Sequence, residues 1–282
     1  MIKVLATDLD GTLFYPNPIK TILPKKNVIF LRKWIDSGHK LVVVTSRSRQ
    51  FIDYLKKEID RPFDYLVCSG SEIYANGELI REVSAPNDQV KEILDKINKD
   101  YHPMAYLMTT KDYPCIIHQN VAIGKIFLNL YRLWQFFQFK RAEPYIISNK
   151  IFNTELDTAK IFKIMIFFGL GNNKKKLTKE MNKVFRVKYS QLEFSWSSKV
   201  IEITPYGCSK GKALEYYCSA NNINFDEVAV IGDSGNDISM FNTFHENSYC
   251  MKHAYTGVRK YAKHTVSKVY KLEKFILKGE NK

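Results

Sequence analysis

Apolar and β-branched residues form continuous runs in the first third of the chain, at 2–9, 40–46 and 63–70. Runs of this length and composition are typical of strands that are buried on both faces of a parallel sheet. Between them, residues 27–36 and 49–59 carry apolar side chains at helical spacing, and the first of these segments stops at Ser37-Gly38. The order strand, helix, strand, helix, strand predicts a parallel, doubly wound α/β sheet.

The same pattern returns near the C-terminus, where a helix is predicted over 212–221 and strands over 227–234 and 247–252. The two ends of the chain therefore share the pattern of alternating strands and helices that is typical of one α/β core. We predict that residues 1–83 and 200–282 together form this core, a Rossmann-like doubly wound sheet.

The middle of the chain, residues 84–199, has a different texture. Residues 89–100 have helical periodicity, and the runs 104–110 and 160–168 are typical of strands. Because this mixture is enclosed by the two halves of the core, we predict an α+β domain that is inserted into the first domain.

Lysine and arginine (43 residues) exceed aspartate and glutamate (29 residues), which gives a formal net charge of +14. Such an excess attracts anions, whether nucleic acid, anionic lipid or phosphorylated metabolites. The net charge alone does not indicate which of these anions is bound. The sequence contains no zinc finger, no aromatic-and-glycine RNA motif and no basic helix. We therefore expect no nucleic-acid partner.

The most apolar segment, 123–139, is interrupted by Lys125 and Arg132 and is a poor candidate for a membrane span. The N-terminal stretch carries acidic residues where a signal peptide would continue its apolar run. Five dispersed cysteines match neither a disulfide framework nor a metal site, which favours a reducing compartment. We expect a cytoplasmic protein without a membrane partner.

Two carboxylates follow the first predicted strand, in the sequence Asp8-Leu9-Asp10-Gly11-Thr12. Ligands of parallel α/β sheets bind beyond the carboxyl ends of the strands. Side chains alternate along an extended chain, so we expect those of Asp8 and Asp10 to point in the same direction. Two like charges so close are costly unless a cation or a proton stabilises them, and Mg²⁺ is the natural solution because it prefers a few hard oxygen ligands.

A second acidic motif, Gly232-Asp233-Ser234-Gly235-Asn236-Asp237, ends another predicted strand. Taken alone, it is compatible with a polar turn in which Asp237 caps the following helix. Together with DLDGT, it indicates a second group of carboxylates at the same edge of the sheet.

Two further features gain meaning only beside these acidic motifs. Thr45-Ser46 ends the second strand, where a hydroxyl group and backbone N–H groups are able to hold a phosphoryl oxygen. Lys210 precedes a predicted helix and is a candidate for neutralising negative charge that develops during a reaction.

These four elements, in this order, resemble the haloacid dehalogenase superfamily of phosphotransferases. The resemblance rests on DLDGT (8–12), VVVTS (42–46), Lys210 within CSKGKAL, and GDSGND (232–237), and it covers nearly the whole chain. Residues 68–80 and 251–266 are similar to segments of the Cof-type branch. The resemblance implies a Rossmann-like core with an inserted α/β (type 2) cap.

The resemblance also implies a role for each matching residue. Asp8 would be the nucleophile that forms an aspartyl phosphate, and Asp10 would give and take protons. Mg²⁺ would be bound by Asp8, Asp233 and the backbone carbonyl of Asp10. Asp237 would reach the metal only indirectly and would orient Lys210. The phosphoryl oxygens would be held by Leu9, Thr45, Ser46, Lys210 and Asn236.

The chain departs from the family pattern at two positions. Ser46 stands where the family commonly has glycine; it retains the backbone N–H group and adds a side chain near the site. His253 stands where relatives tend to have asparagine. We interpret it as a structural replacement rather than as a catalytic group.

The predicted function is a Mg²⁺-dependent phosphatase that hydrolyses small organic phosphates, with sugar phosphates as the first candidates. Two alternatives stay open: a phosphomutase-like enzyme that returns the phosphoryl group to a sugar, and a regulator that binds phosphorylated metabolites without catalysis. Retention of both carboxylates of DLDGT argues against the regulator. Substrate specificity would reside in the inserted domain. Its aromatic side chains are candidates for stacking on a substrate ring, although such residues are more often core: Tyr106, Tyr113, Trp134, Phe137 and Trp196.

Overall fold

The computed structural model describes residues 1–16, 22–119, 144–168, 184–185, 187–197 and 200–277. The chain divides into two compact units. The first joins Met1–Glu82 with Ser209–Lys282, and the second is the intervening stretch Val83–Cys208. The first boundary lies one residue before the expected position, whereas the second lies nine residues after it. The reason is that the strand over 200–205 pairs within the sheet of the inserted unit.

The described residues form fourteen strands, numbered here in chain order. They are β1 (Val4–Thr7), β2 (Lys40–Val44), β3 (Asp64–Val67), β4 (Glu72–Ala75), β5 (Glu78–Glu82), β6 (Ala105–Thr110), β7 (Ile116–Gln119), β8 (Ile146–Ile147), β9 (Ile161–Phe167), β10 (Leu192–Ser197), β11 (Val200–Pro205), β12 (Val228–Gly232), β13 (Ser248–Met251) and β14 (His264–Val266). The α-helices described are Lys25–Asp36, Ile52–Ile59, Asn87–Tyr101, Asn149–Thr158, Lys210–Ala220, Ile238–Thr243, Thr256–Arg259 and Glu273–Ile276.

The first unit is built on an eight-stranded sheet with the order β14-β13-β12-β1-β2-β3-β4-β5. The six strands from β14 to β3 run parallel, and β4 and β5 add an antiparallel hairpin that the sequence did not predict. The chain leaves β1 toward β2 on one side and returns to β12 on the other. This reversal of strand order next to β1 creates the crevice in which α/β sheets bind ligands.

Neighbouring residues of β1 face opposite sides of the sheet. Leu5 packs in the apolar cluster that contains Trp34 of the helix Lys25–Asp36. Val4 and Ala6 belong to the cluster that contains Leu214 of the helix Lys210–Ala220. Because helices cover both faces, the strand is buried at every position, which confirms the predicted doubly wound α/β fold.

The inserted unit contains a six-stranded sheet with the order β10-β11-β9-β6-β7-β8. Its neighbours are antiparallel except for β7 and β8. Val90, Ile93 and Ile97 of the helix Asn87–Tyr101 recur at helical spacing and pack with Phe152 in one apolar core. The unit is therefore an α+β domain with a core of its own.

Tyr106 lies inside this core, and its hydroxyl group donates to the carbonyl of Leu94 (3.3 Å). Tyr113 packs against the same core. Trp134, Phe137 and the side chain of Trp196 lie outside the described part of the chain, as does the segment 123–139.

Among the helices that the structure describes, none is both long enough and apolar enough to cross a membrane.

Candidate active site

The two acidic motifs lie at the carboxyl ends of adjacent strands. β1 pairs in parallel with β12, so that Thr7 is the register partner of Ile231. The backbone N–H of Asp8 donates to the carbonyl of Ile231 (3.0 Å). Asp8 therefore lies next to the turn that carries Asp233, at the edge where the sequence predicted the site.

Asp8 is buried, with 4% of its surface exposed. Its Oδ1 accepts a hydrogen bond from Nζ of Lys210 at 2.6 Å. Its Oδ2 is also buried but has no hydrogen-bond donor among the described residues. A buried carboxylate oxygen without a donor costs free energy, and an ordered water molecule, a bound ion or a catalytic role would each account for it.

Lys210 is the first residue of the helix Lys210–Ala220. The hydroxyl group of Ser209 caps this helix by accepting the backbone N–H of Lys212 (3.4 Å). The cap satisfies a backbone donor that has no partner inside the helix and fixes where the helix begins. The position from which Lys210 reaches Asp8 is therefore set by local sequence.

Asp237 holds Lys210 from the other side. Its Oδ1 accepts from Nζ of Lys210 at 2.6 Å, and its Oδ2 accepts the backbone N–H groups of Asp233 and Ser234 at 2.9 Å each. Both oxygens of this fully buried carboxylate are therefore engaged by the protein. The indirect role toward a metal that the resemblance implies for Asp237 stays a prediction.

Asp233 is packed tightly against the turn that follows β1. Oδ1 accepts from the hydroxyl group of Thr12 at 3.0 Å. A Cβ atom at Gly11 would lie 2.2 Å from Oδ2 of Asp233, and Gly11 has a φ of +82°. Only glycine combines this backbone conformation with so close an approach, which explains the glycine of DLDGT.

The electrostatics of this cluster are dominated by carboxylates. Asp8, Asp233 and Asp237 each offer an oxygen, and these atoms lie within 4.8 Å of one another. Burial raises the pKa of Asp8 well above its usual range; Lys210 partly offsets this, and Asp237 adds to it. Burial and Asp237 raise the pKa of Asp233 to about 6. Although burial alone would lower it, the carboxylates of Asp237 and Asp8 raise the pKa of Lys210.

One ammonium group thus lies among two buried carboxylates and a half-buried one, and one carboxylate oxygen has no donor. Hard oxygen ligands and an excess of negative charge are what Mg²⁺ requires. The residues of this cluster therefore fit a divalent cation.

Asp10 has surroundings that the sequence did not predict. Its side chain is 42% exposed, and both of its oxygens accept hydrogen bonds from Arg47. Asp8, in contrast, is buried and accepts a hydrogen bond from Lys210. The expected common direction assumed an extended chain, but β1 ends at Thr7. Residues 9–13 form a helical turn that is kinked at Asp10 and the following glycine. Alternation of side chains therefore does not apply across Asp10.

Arg47 connects Asp10 with the loop after β2. Its guanidinium group lies over the ring of Phe51, 4.1 Å from the centroid. Its backbone N–H donates to Oγ1 of Thr45 (3.1 Å), and its carbonyl accepts from the N–H of Cys68 (2.8 Å). Arg47 was not among the predicted site residues; the signal that could have identified it is its position two residues after Thr45.

The residues predicted to hold the phosphoryl group lie around the same edge. The hydroxyl oxygen of buried Thr45 accepts from Arg47, which leaves its hydrogen for a further acceptor. Oδ1 of Asn236 accepts the hydroxyl group of Ser234 (2.6 Å), which leaves the Nδ2 hydrogens as the donors of this amide. Leu9 and Ser46 follow β1 and β2, buried and half-buried respectively. Their contact with a phosphate stays a prediction.

His253 lies beside Asp233, with 3.7 Å between Nε2 and Oδ2. Its ring is stacked on that of Tyr15, with centroids 3.9 Å apart and an interplanar angle of 10°. Burial and the charge of Lys268 lower the pKa of His253. The histidine that stands at the family's asparagine position therefore contacts a predicted metal ligand.

Comparison with known proteins identifies the family of this chain. Residues 5–272 match the family model of haloacid dehalogenase-like hydrolases. The chain belongs to this family. The predicted superfamily, its fold and the prediction of a phosphatase enzyme are confirmed.

Two curated relatives of this haloacid dehalogenase-like hydrolase are phosphatases. A 5-amino-6-(5-phospho-D-ribitylamino)uracil phosphatase of Bacillus subtilis is 27% identical over 85% of this chain and 84% of its own length. A pyridoxal phosphate phosphatase of Escherichia coli is 26% identical over 84% of each chain. A haloacid dehalogenase-like hydrolase from Bacteroides thetaiotaomicron has a crystal structure similar to this one, with a TM-score of 0.74 and 23% identity. That similarity covers 98% of this chain and 100% of the other.

Proposed function

We propose that this hydrolase is a Mg²⁺-dependent phosphatase that acts on small organic phosphate monoesters through a phosphorylated Asp8. The observation that carries the proposal is that the two oxygens of the Asp8 carboxylate have different surroundings. Oδ1 is held by Lys210 at 2.6 Å, whereas Oδ2 is buried without a donor. A carboxylate oxygen that is fixed in place and free of hydrogen bonds is suited to nucleophilic attack.

Asp8, Asp233 and the backbone carbonyl of Asp10 would hold the Mg²⁺ ion, since both oxygens of Asp237 are already engaged. When bound, the cation would offset the negative charge of the carboxylates and of the phosphoryl oxygens. Lys210 contributes a second positive charge at Asp8 itself.

In the first step, Oδ2 of Asp8 attacks the phosphorus atom, and the bond from phosphorus to the ester oxygen breaks. Asp10, in its protonated form, gives its proton to that departing oxygen, so that the product leaves as an alcohol. The hydroxyl group of Thr45 and the amide of Asn236 donate to the phosphoryl oxygens. Such positioning supplies most of the catalysis in phosphoryl transfer.

In the second step, a water molecule attacks the same phosphorus atom. Asp10, now ionised, takes a proton from this water, and the electron pair of the O–P bond returns to Asp8. Inorganic phosphate leaves, and the enzyme regains its starting protonation.

Water is the proposed acceptor because the family consists of hydrolases, which favours a phosphatase over a phosphomutase. The two named relatives act on pyridoxal phosphate and on a phosphorylated ribitylaminouracil. We therefore extend the candidate substrates from sugar phosphates to small phosphorylated cofactors and their precursors, in the cytoplasm. Every residue predicted to take part in the chemical steps lies in the first unit. For this reason we assign the choice of leaving group to the inserted unit, Val83–Cys208.

The proposal is tested by measuring the release of inorganic phosphate by the purified full chain, with and without Mg²⁺. The substrate panel contains sugar phosphates, pyridoxal 5′-phosphate, ribitylaminouracil phosphate and nucleotides. We expect Asp8→Asn and Asp10→Asn each to lower the rate by about 10³-fold or more. Asp36→Asn makes the same chemical change at an exposed ion pair with Arg61 and should leave the rate unchanged.

A second readout follows the phosphoryl group itself. Acid-quenched wild-type enzyme should carry a label from radioactive substrate that hydroxylamine removes, and Asp8→Asn should carry none. If Asp8→Asn kept most of the hydrolysis, the nucleophile would be wrong. Transfer of the label to a sugar acceptor, in place of release as phosphate, would favour the phosphomutase.

A further inference from the structure

We propose that Tyr15 and His253 are positioning residues that hold Asp233 in place as a metal ligand. The inference rests on the proposed function, because that function assigns Asp233 to the Mg²⁺ site. All of the contacts involved lie within the first unit, Met1–Glu82 with Ser209–Lys282.

The two oxygens of Asp233 are held unequally. Oδ1 accepts a hydrogen bond from Thr12 at 3.0 Å. Oδ2 faces Nε2 of His253 at 3.7 Å, a polar contact that is longer than a hydrogen bond. The Cα atom of Gly11 closes a further side, since a Cβ atom there would lie 2.2 Å from Oδ2. Of these neighbours, only His253 lies outside the DLDGT turn.

His253 is in turn held by stacking. Its ring lies parallel to that of Tyr15, with centroids 3.9 Å apart. Nζ of Lys268 lies 4.0 Å from the centroid of the same tyrosine ring. A parallel ring at this distance fills one face of Tyr15, so the ammonium group lies against the other face, where the ring attracts a cation. Tyr15 is therefore fixed from both faces.

The order of the strands gives this stack its significance. Tyr15 lies in the segment after β1, and His253 lies in the loop after β13. In the sheet, β12 runs between β13 and β1, and Asp233 follows β12 directly. The stack thus joins the segments on the two sides of Asp233. It places His253 against Oδ2 of Asp233, the oxygen that Thr12 does not contact.

Partners that orient a metal ligand typically contribute about 10- to 100-fold to metal affinity. The test measures cation binding directly, by electron paramagnetic resonance of Mn²⁺ and by calorimetry with Mg²⁺, on the full chain. We expect His253→Ala and Tyr15→Leu each to weaken binding by about tenfold or more. Tyr15→Phe keeps the ring and should bind like the wild type.

His39→Ala is the matched control. His39 stacks on Trp34 with nearly the same geometry, at 4.1 Å and 18°, but it precedes β2 and so lies at the opposite edge of the sheet from Thr45. Its removal should leave cation affinity unchanged. The double variant Tyr15→Leu/His253→Ala should bind no more weakly than the weaker single variant, because both changes break one contact.

Thermal unfolding in EDTA separates a misplaced ligand from a damaged fold. A variant that unfolds like the wild type but binds Mn²⁺ more weakly supports the inference. Wild-type affinity in His253→Ala or in Tyr15→Leu overturns it and leaves the proposed function intact. If the wild type bound no Mn²⁺, or if Asp233→Asn bound it equally well, the metal site of the proposed function would fail as well.

Discussion

Arg47 holds the carboxylate of Asp10 through both oxygens, with Nε 2.7 Å from Oδ2 and Nη2 2.6 Å from Oδ1. The guanidinium group itself is fixed over the ring of Phe51. A planar fork of two parallel hydrogen bonds sets both the direction and the rotation of a carboxylate. Asp10 is therefore aimed by Arg47, even though its side chain is 42% exposed.

Arg47→Ala should lower kcat by about 10- to 100-fold, because Asp10 loses the contact that positions it for proton transfer. Arg47→Lys should restore only part of the rate, since an ammonium group does not bind both oxygens in one plane. Steady-state hydrolysis of an aryl phosphate at saturating Mg²⁺ measures both effects.

Arg61→Ala is the control for this change. Arg61 binds both oxygens of Asp36 in the same manner, at 2.6 and 3.2 Å, on an exposed surface. Its loss should leave kcat unchanged. Wild-type kcat in Arg47→Ala would mean that Asp10 needs no help from Arg47.

Gly11→Ala should remove most of the hydrolytic activity and weaken cation binding. The new Cβ atom would lie 2.2 Å from Oδ2 of Asp233, so the carboxylate must move. A displacement of about 1 Å in such a site costs on the order of 100-fold in rate. Phosphate release and Mn²⁺ binding measure the two effects.

Gly77→Ala separates this clash from the cost of the backbone conformation. Gly77 has a φ of +85°, close to the +82° of Gly11, but a Cβ atom there meets nothing within 4 Å. In denaturant unfolding, Gly77→Ala should lose on the order of 1 kcal/mol through its backbone conformation alone, and Gly11→Ala should lose more because the clash adds to that cost. Only Gly11→Ala should lose activity, and equal activity in the two variants would contradict the role assigned to Gly11.

The core strands of the first unit were predictable because each is a continuous apolar run. β1, β2 and β12 all lie inside predicted strands, although the predictions ran on into the loops that follow. β10 and β11 were missed, since half-buried strands alternate with polar residues such as Glu202 and give a weaker signal. The predicted boundary at 199/200 differs from the end of the second unit at Cys208 because β11 was missed.

The parts of the candidate site that lie within the sequence motifs were predictable. Asp8, Lys210 and Asp233 come together as the order of the motifs implied. The pairing of Asp10 with Arg47 was not predictable, because it depends on the backbone turn after β1. The stack of Tyr15 on His253 depends on β13 lying next to β12, which hydrophobic periodicity does not reveal.

The pKa of Asp233, raised to about 6 by burial and by Asp237, predicts how stability depends on pH when metal is removed. A carboxyl group whose pKa is higher in the folded than in the unfolded chain stabilises the fold by binding its proton. This contribution is complete when the pH is below the pKa of the unfolded chain, about 4. This contribution is lost as the pH rises through about 6. In EDTA, Asp233 should therefore lower the free energy of unfolding by on the order of 1 kcal/mol between about pH 5 and pH 7.

Urea unfolding of the wild type and of Asp233→Asn at both pH values isolates this contribution, because the variant lacks the titrating group. Mg²⁺ should reverse the trend in the wild type, since it binds the ionised carboxylates and stabilises the folded chain more as the pH rises. Parallel pH dependence of the wild type and the variant in EDTA would show that Asp233 does not titrate in this range.

A buried hydrogen bond far from the acidic motifs supports the fold. The hydroxyl group of Tyr217 donates to Oδ2 of Asp64 at 2.6 Å, and the backbone N–H of Asn76 donates to Oδ1 at 2.7 Å. Burial and then Asp64 raise the pKa of Tyr217, so the phenol remains a donor. Asp64 is the first residue of β3, at the end of the strand opposite to the carboxyl edge.

Tyr217→Phe should lower the free energy of unfolding by about 1–3 kcal/mol, because it leaves a buried carboxylate with one donor fewer. The control is its neighbour Tyr216, which is 41% exposed and whose hydroxyl group lies 3.4 Å from the carbonyl of Ile80. Tyr216→Phe should change stability by no more than about 0.5 kcal/mol. Urea unfolding measures both variants, and kcat should equal the wild-type value in each. Equal stability of Tyr217→Phe and Tyr216→Phe would mean that Asp64 finds another donor, and a lower kcat in Tyr217→Phe would link this end of β3 to the reaction.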